Sequence, residues 1–372
     1  MSEIKLKRNT NIDIFRAFAL LIVVVYHCWV KTGAFQISNG IIQTFISLGG
    51  EIGVTAFFLL SGYGIYWSLY KTELKQTIEF KSFITKRLKR VVPAYYLNLF
   101  LALALTSSAV YLGVEHIPNI LSHIFFVHNL FADYHGAING VLWTMGVIVQ
   151  FYFLAIPLYK VINKIGLWAV PISILVTILC KYIVFGYITS HYAESVYYTS
   201  YMFIYGRQLM TALDNFVIGM GVAYFVLHYK GIQNKYIAFA GEVISIIFLY
   251  AVCVLGLKNG IHTNNMSGYI WHSLLAGCLG IIMFFLFFIN IKECIITKCL
   301  LKVSEYEYDI YLWHLLLINN FLQYSGQIQR MVEKKYYLFT WGIFVLGSFG
   351  LGFLFKRLVN KNERKGIWKI EK

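Results

Sequence analysis

The chain has 372 residues, of which 59% are hydrophobic, 18% aromatic and only 13% charged. Soluble domains carry about 25% charged residues, so this composition excludes a soluble globular protein and marks a multispanning membrane protein. The net charge of +15 does not indicate nucleic-acid binding, because the basic residues sort by side of the membrane.

Ten apolar runs, at 12–30, 46–69, 91–112, 140–160, 167–189, 207–227, 236–257, 269–290, 306–323 and 336–356, are each long enough to cross the ~30 Å hydrocarbon core. The predicted fold is all-α: a polytopic membrane helix bundle of about ten transmembrane helices, one domain over residues 1–372 with no separate soluble domain. An even number of spans puts both termini on one side. Of the 32 Lys and Arg residues, 24 fall in the termini and the loops on that side. Five (Lys31, Lys258, Arg330, Lys334 and Lys335) fall on the opposite side, and three (Arg16, Lys181 and Arg207) lie inside spans. By the positive-inside rule both termini are expected in the cytoplasm. The first run is too long for the apolar core of a signal peptide and has no small-residue cleavage site after it, so it reads as a retained span. The six cysteines are scattered. Without CxxC or Cys/His metal spacing they predict packing roles, no disulfide framework and no metal.

The first span carries Arg16 and His27, eleven residues apart. At ~100° per residue this is about three turns plus ~20°, so both project from one helix face, ~16 Å apart along the axis. Ionisable groups inside a membrane are costly and mark a functional site. Arg16 falls near the inner face, where a guanidinium fork matches phosphate oxygens. His27 lies beyond the midplane, where an imidazole suits proton transfer. Asp13, three residues before Arg16, is a candidate partner for it.

The second span contains Gly53-Val54-Thr55-Ala56-Phe57-Phe58-Leu59-Leu60-Ser61-Gly62-Tyr63. Gly49 and Gly53 form a GxxxG pair, a signal of close helix packing. Ser61 has no neighbouring base in sequence, so it is not a candidate nucleophile. The segment Tyr70–Arg90 holds seven basic residues and is expected to include an interfacial helix. Arg87 and Arg90 are neighbours on a helix, and Pro93 suits an early helical turn. That cationic cluster fits either donor phosphates or lipid headgroups. The outer segment Gly113–Asn139 holds His116, His123, His128 and His135 but no Lys or Arg. Its apolar part, Ile120–Phe131, is too short to span and reads as a re-entrant or surface helix. In the fourth span Trp143 reads as an interface anchor. The Tyr-rich segment Ser190–Gly206 reads as an interfacial belt or a sugar-stacking surface. In the ninth span Glu307, Tyr311 and His314 share one face.

The order of these pieces carries a resemblance. Ile12-Asp13-x-x-Arg16 with His27, then Phe57-Phe58-x-x-Ser61-Gly62-Tyr63, Arg87-x-x-Arg90-x-x-Pro93-x-Tyr95, Trp143-Thr144 with Phe151-Tyr152, Phe216-Val217-Ile218-Gly219-Met220 and Tyr311-Leu312-x-His314 resemble the family 3 membrane acyltransferases over about residues 9–356. The resemblance implies a multi-pass enzyme of the cytoplasmic (plasma or inner) membrane. It implies transfer of an acyl group, usually acetyl, from cytosolic acyl-CoA to a hydroxyl of a cell-surface or secreted glycan or another small acceptor. Acyl-CoA is then a cosubstrate, with no tightly bound cofactor. Arg16, Arg87 and Arg90 would bind its phosphates. His27 would act as general base or transient acyl carrier, with Arg16 and His314 as further catalytic candidates. Asp13, Phe57, Phe58, Ser61, Gly62, Tyr63, Pro93, Trp143 and Tyr311 would be motif and structural residues. The expected partners are the bilayer, acyl-CoA and the hydroxyl-bearing acceptor, not nucleic acid. Two departures stand out. Many relatives carry Glu five residues after the Trp, where this chain has Ile148. The extracytoplasmic hydrolase-like domain of some members is also missing here, which leaves room for a separate extracytoplasmic partner enzyme. The alternative function is an exporter of a polysaccharide or its lipid-linked precursor. Transporters often carry internal repeats, and none is evident.

Overall fold

A computed structural model describes residues 9–105, 111, 113–229, 232, 234–289, 291–324 and 336–364. Arg330, Lys334 and Lys335 of the charge census, and the far end of the expected third span, lie outside the described residues. The described residues are mostly helical and contain no strand. The α-helices are α1 (Thr10–Lys31), α2 (Gly40–Ser47), α3 (Gly49–Glu73), α4 (Phe80–Leu105), α5 (Ile117–Ile124), α6 (Ala132–His135), α7 (Trp143–Ile165), α8 (Ala169–Tyr192), α9 (Tyr198–Tyr205), α10 (Leu213–His228), α11 (Lys235–Asn259), α12 (Met266–Leu286), α13 (Ile295–Glu305), α14 (Glu307–Tyr324) and α15 (Tyr337–Arg364).

Seven helical stretches are long and apolar enough to cross a membrane. One of them, Trp143–Tyr192, is α7 and α8 joined by a 3-10 turn at Gly166–Trp168, where Gly166 takes φ +63°. The protein is therefore a multi-pass membrane protein. The ten crossings expected from the sequence also require α4 and α14, which are less apolar because α4 begins with a basic stretch and α14 carries Glu307 and Asp309.

The start of α1 is set by Asn9, whose side chain accepts the Asn11 N–H at 2.9 Å, an N-cap that satisfies a free helix donor. Asn11 in turn donates to the Leu286 carbonyl at 2.7 Å, fastening α1 to the end of α12. At the centre of the bundle, α3 is buried on all its faces, which fits a helix apolar all round. Small residues let it sit there. A methyl group on Gly62 would collide with the Phe216 carbonyl of α10, and one on Gly219 with the Leu59 carbonyl of α3. The two glycines thus set one close crossing from both sides. Gly49 and Gly53 face α1 in the same way, against Ile22 and Ala19, as the GxxxG pair predicted. By contrast α11 turns Ile237, Phe239, Ile247 and Phe248 outward, a surface suited to lipid.

Several expectations are corrected here. Tyr70–Arg90 does not form a separate interfacial helix. Its first residues, with Lys71, end α3, and the basic residues from Lys81 to Arg90 lie in the first turns of α4, which continues into the span. Pro93 consequently lies inside α4 rather than in an early turn. The outer segment expected as one short helix is broken into α5, α6 and 3-10 turns at Val114–His116 and His128–Leu130. Trp143 is not an interface anchor. It is 6% exposed, stacked on His135 and edge-on to Phe58. All six cysteines are free.

Candidate active site

Two helices that meet side by side, α1 and α14, supply the centre. Each carries its polar groups on one face, Arg16 and His27 on α1 and Glu307, Tyr311 and His314 on α14. Arg16 Nε pairs with Glu307 Oε2 at 3.2 Å. Deeper in the bundle, His27 Nδ1 lies 2.9 Å from His314 Nε2. The eleven-residue spacing on α1 covers ~16 Å and the seven-residue spacing on α14 ~10 Å. The long Arg16 and Glu307 side chains take up the difference. Asp13, the partner suggested by spacing, is buried at the start of α1, and the ion pair of Arg16 runs across to α14.

The second contact fixes proton positions. His314 Nδ1 is 2.7 Å from the Tyr311 carbonyl. A carbonyl only accepts, so Nδ1 carries the hydrogen and Nε2 of the neutral ring carries a lone pair. That lone pair accepts from His27, so His27 is protonated at Nδ1 and, as a neutral ring, carries its lone pair on Nε2. His314 is fully buried, which holds the pair in this register.

A cavity of about 160 Å³ lies beside the Arg16–Glu307 pair, and His27 and His314 are not among its lining residues. Arg16, Arg87 and Arg90 all line it, so the structure brings together the three arginines singled out by sequence. Ser61, Phe57, Ile148 and Tyr311 line it as well. Among the lining residues the carboxylate is Glu307; Ile148, where the resemblance leads one to look for Glu, presents an apolar side chain instead. In its wall the Tyr311 hydroxyl is 3.0 Å from Thr144 Oγ1, with the Phe57 ring edge-on to Tyr311 at 5.4 Å. Phe58 is buried against Phe151, and Gly62 and Tyr63 are packing residues of α3.

A second polar group was not found from the sequence. Near the start of α3, Glu51 receives Arg207 Nη1 at 3.3 Å and His262 Nε2 at 3.2 Å on one oxygen, and His272 Nε2 at 3.3 Å on the other. Arg207 is held by the rings of Phe203 and Trp143, at 3.3 and 4.3 Å. Burial lowers the pKa of His262, in the loop before α12, despite the Glu51 carboxylate beside it. The sequence offered one signal, that Arg207 is a cation inside an apolar run.

The chain matches a family model described as an acyltransferase domain over residues 9–357. It belongs to this acyltransferase family. Family membership fixes the enzyme class expected from the resemblance. A protein named "Putative acetyltransferase ORF330", from Acidianus two-tailed virus, is 24% identical over 305 residues, 81% of each chain. "Putative peptidoglycan O-acetyltransferase YrhL" of Bacillus subtilis is 30% identical over 46% of this chain and 27% of its own. Peptidoglycan O-acetyltransferase OatA of Listeria monocytogenes is 28% identical over 39% of this chain and 23% of its own. The matched part is thus about a quarter of the length of the last two relatives. No solved structure matches the acyltransferase.

Proposed function

We propose that this acyltransferase is a membrane O-acetyltransferase that takes acetyl from cytosolic acetyl-CoA and passes it to a hydroxyl of a cell-surface glycan. It would sit in the cytoplasmic membrane with ten crossings and both termini inside. One observation carries the proposal: three arginines share a cavity wall with Tyr311, and the two helices that supply Arg16 and Tyr311 also bring His27 and His314 within hydrogen-bond distance. The names of the relatives favour acetyl as the group and a wall glycan as the acceptor, and the family membership favours transfer over export.

The cavity, at about 160 Å³, is smaller than the ~300–1,000 Å³ of sites that enclose a whole ligand. It suits the acetyl-thioester end of the donor. The nucleotide would remain at the inner mouth, where guanidinium forks pair with phosphates. In the reaction, His27 Nε2 removes the proton of the acceptor hydroxyl as its oxygen attacks the thioester carbonyl. The C–S bond then breaks, and the departing thiolate takes that proton back as CoA–SH. The ester forms and His27 returns to its starting state. The glycan hydroxyl and the donor thus meet at one base, which supplies the orientation and proton transfer the chemistry needs.

The test is transfer of radiolabelled acetyl from acetyl-CoA to cell-wall glycan fragments by the purified full chain. Wild-type protein should form base-labile acetyl ester and His27→Ala should not. Transfer by His27→Ala at the wild-type rate would overturn the proposal.

A further inference from the structure

We infer that the Glu51–Arg207–His262–His272 cluster, with Lys181 and Asp214, is the subsite that holds the acceptor, and that what it holds is a neutral, hydroxyl-rich unit of a glycan. The inference rests on the acetyl-transfer reading above.

The cluster joins the reacting centre. Arg207 lies over the Trp143 ring, and the residue after Trp143, Thr144, is hydrogen-bonded to Tyr311 in the wall of the donor cavity. It is built from the start of α3, the loop before α12 and the first turns of α12, with His27 in the C-terminal part of α1. Its core is rigid: Arg207 also donates through Nε to the Phe203 carbonyl at 3.2 Å.

Around that core, polar atoms are left over. His262 Nδ1, His272 Nδ1, Lys181 Nζ and Asp214 Oδ2 are buried and make no hydrogen bond with the described residues. Leaving a buried polar group unsatisfied costs about 1–3 kcal/mol, so this set calls for a polar guest. The charges choose which one. Arg207 and Lys181 are balanced by Glu51 and Asp214, so the group is neutral as it stands.

A divalent cation would have three ligand atoms here, since Glu51, His262 and His272 converge within 4.8 Å. It would, however, share one carboxylate with Arg207 and leave two uncompensated charges in a buried site, which is costly. The second nitrogen of each histidine also lacks the acceptor that metal-bound imidazoles ordinarily have. An anion meets the opposite imbalance. A hydroxyl both donates and accepts, adds no charge, and answers an ammonium, a carboxylate and two imidazole lone pairs alike.

The test is steady-state acetylation of an N-acetylglucosamine pentasaccharide by the full chain in proteoliposomes. The KM for saccharide and the KM for acetyl-CoA are measured separately. His272→Gln and His262→Gln, which preserve volume and spare the ion pair, are compared with Glu51→Gln. The expected result is a rise of at least about tenfold in the saccharide KM, with the acetyl-CoA KM within about twofold. Unchanged saccharide KM in both histidine variants overturns the subsite. Stoichiometric metal in the purified protein, lost in those variants, overturns it too. Wild-type protein that forms no acetyl ester at all instead overturns the acetyl-transfer reading.

Discussion

Replacing His314 by alanine removes the acceptor that holds His27 in its base-competent form. In the native protein the His27 Nδ1–H points at His314 Nε2 across 2.9 Å, and His314 is itself oriented by the Tyr311 carbonyl at 2.7 Å. Without that acceptor the Nδ1–H loses its side-chain partner inside the bundle and keeps only the Val23 carbonyl one turn back, a penalty of up to about 1–3 kcal/mol. The tautomer with hydrogen on Nε2, which cannot take a proton from a hydroxyl there, gains by that amount. At 1.4 kcal/mol per tenfold, the base-competent fraction falls by about 5- to 150-fold. The expected loss in kcat is therefore about 5- to 150-fold, at or below the low end of the ~10²–10⁴ assigned to a positioned general base, because the base itself is still present. His314→Gln should recover most of it, because its side-chain carbonyl accepts from the same Nδ1–H. The assay is single-turnover acetyl transfer at saturating acetyl-CoA, with KM for acetyl-CoA measured in parallel and expected to be unchanged. A His314→Ala protein with wild-type kcat, or a glutamine variant no better than alanine, would refute the tautomer argument.

Arg87→Ala should raise the KM for acetyl-CoA about 10- to 100-fold, the loss of a charge-assisted contact of about 1.5–3 kcal/mol, and leave kcat at saturating donor nearly intact. Equal donor affinity in binding assays would remove Arg87 from the phosphate site. Gly219→Ala should cost about 1–3 kcal/mol through overpacking of the α3–α10 crossing, read as a lower melting temperature in detergent, whereas Gly342→Ala, which meets nothing within 4 Å, should not. For His262 the folded-state pKa is lowered by burial, so the unfolded chain binds a proton first as pH falls below about 6.5. Its contribution is therefore present at neutral pH and lost on acidification. The melting temperature should drop less between pH 7 and pH 5 in His262→Gln than in wild type, and parallel pH curves would count against it.

What the sequence made legible was local. Arg16 with His27, Arg87 with Arg90, and Glu307 with Tyr311 and His314 each lie on one helix, where the 3.6-residue period alone decides which side chains share a face. Their convergence on one cavity is a tertiary fact, but each half was readable. The Glu51 group had no such handle, because Glu51 and His272 stand 221 residues apart on different helices. Trp143 went wrong for a different reason. In water an apolar residue signals the core. In a membrane it signals lipid or core alike, so periodicity does not tell an interface tryptophan from one buried under Arg207.

The same distinction explains how Ile148 fits a site built from charges. The cavity already holds Glu307, and that carboxylate is engaged with Arg16 at 3.2 Å. A second carboxylate at residue 148 would face Arg16, Arg87 and Arg90 across about 160 Å³ and compete for the guanidinium groups that a phosphorylated donor requires. With isoleucine there, Glu307 is the carboxylate among the lining residues that engages Arg16, and residue 148 adds an apolar side chain to the wall. The acidic residue expected on α7 has therefore not been replaced by a neighbour such as Gln150, which instead bonds Asn129 at 3.0 Å in the outer segment. The one carboxylate of this cavity comes from α14, the helix that also carries His314, so the group that holds the donor's arginine and the group that orients the base move as one rigid unit.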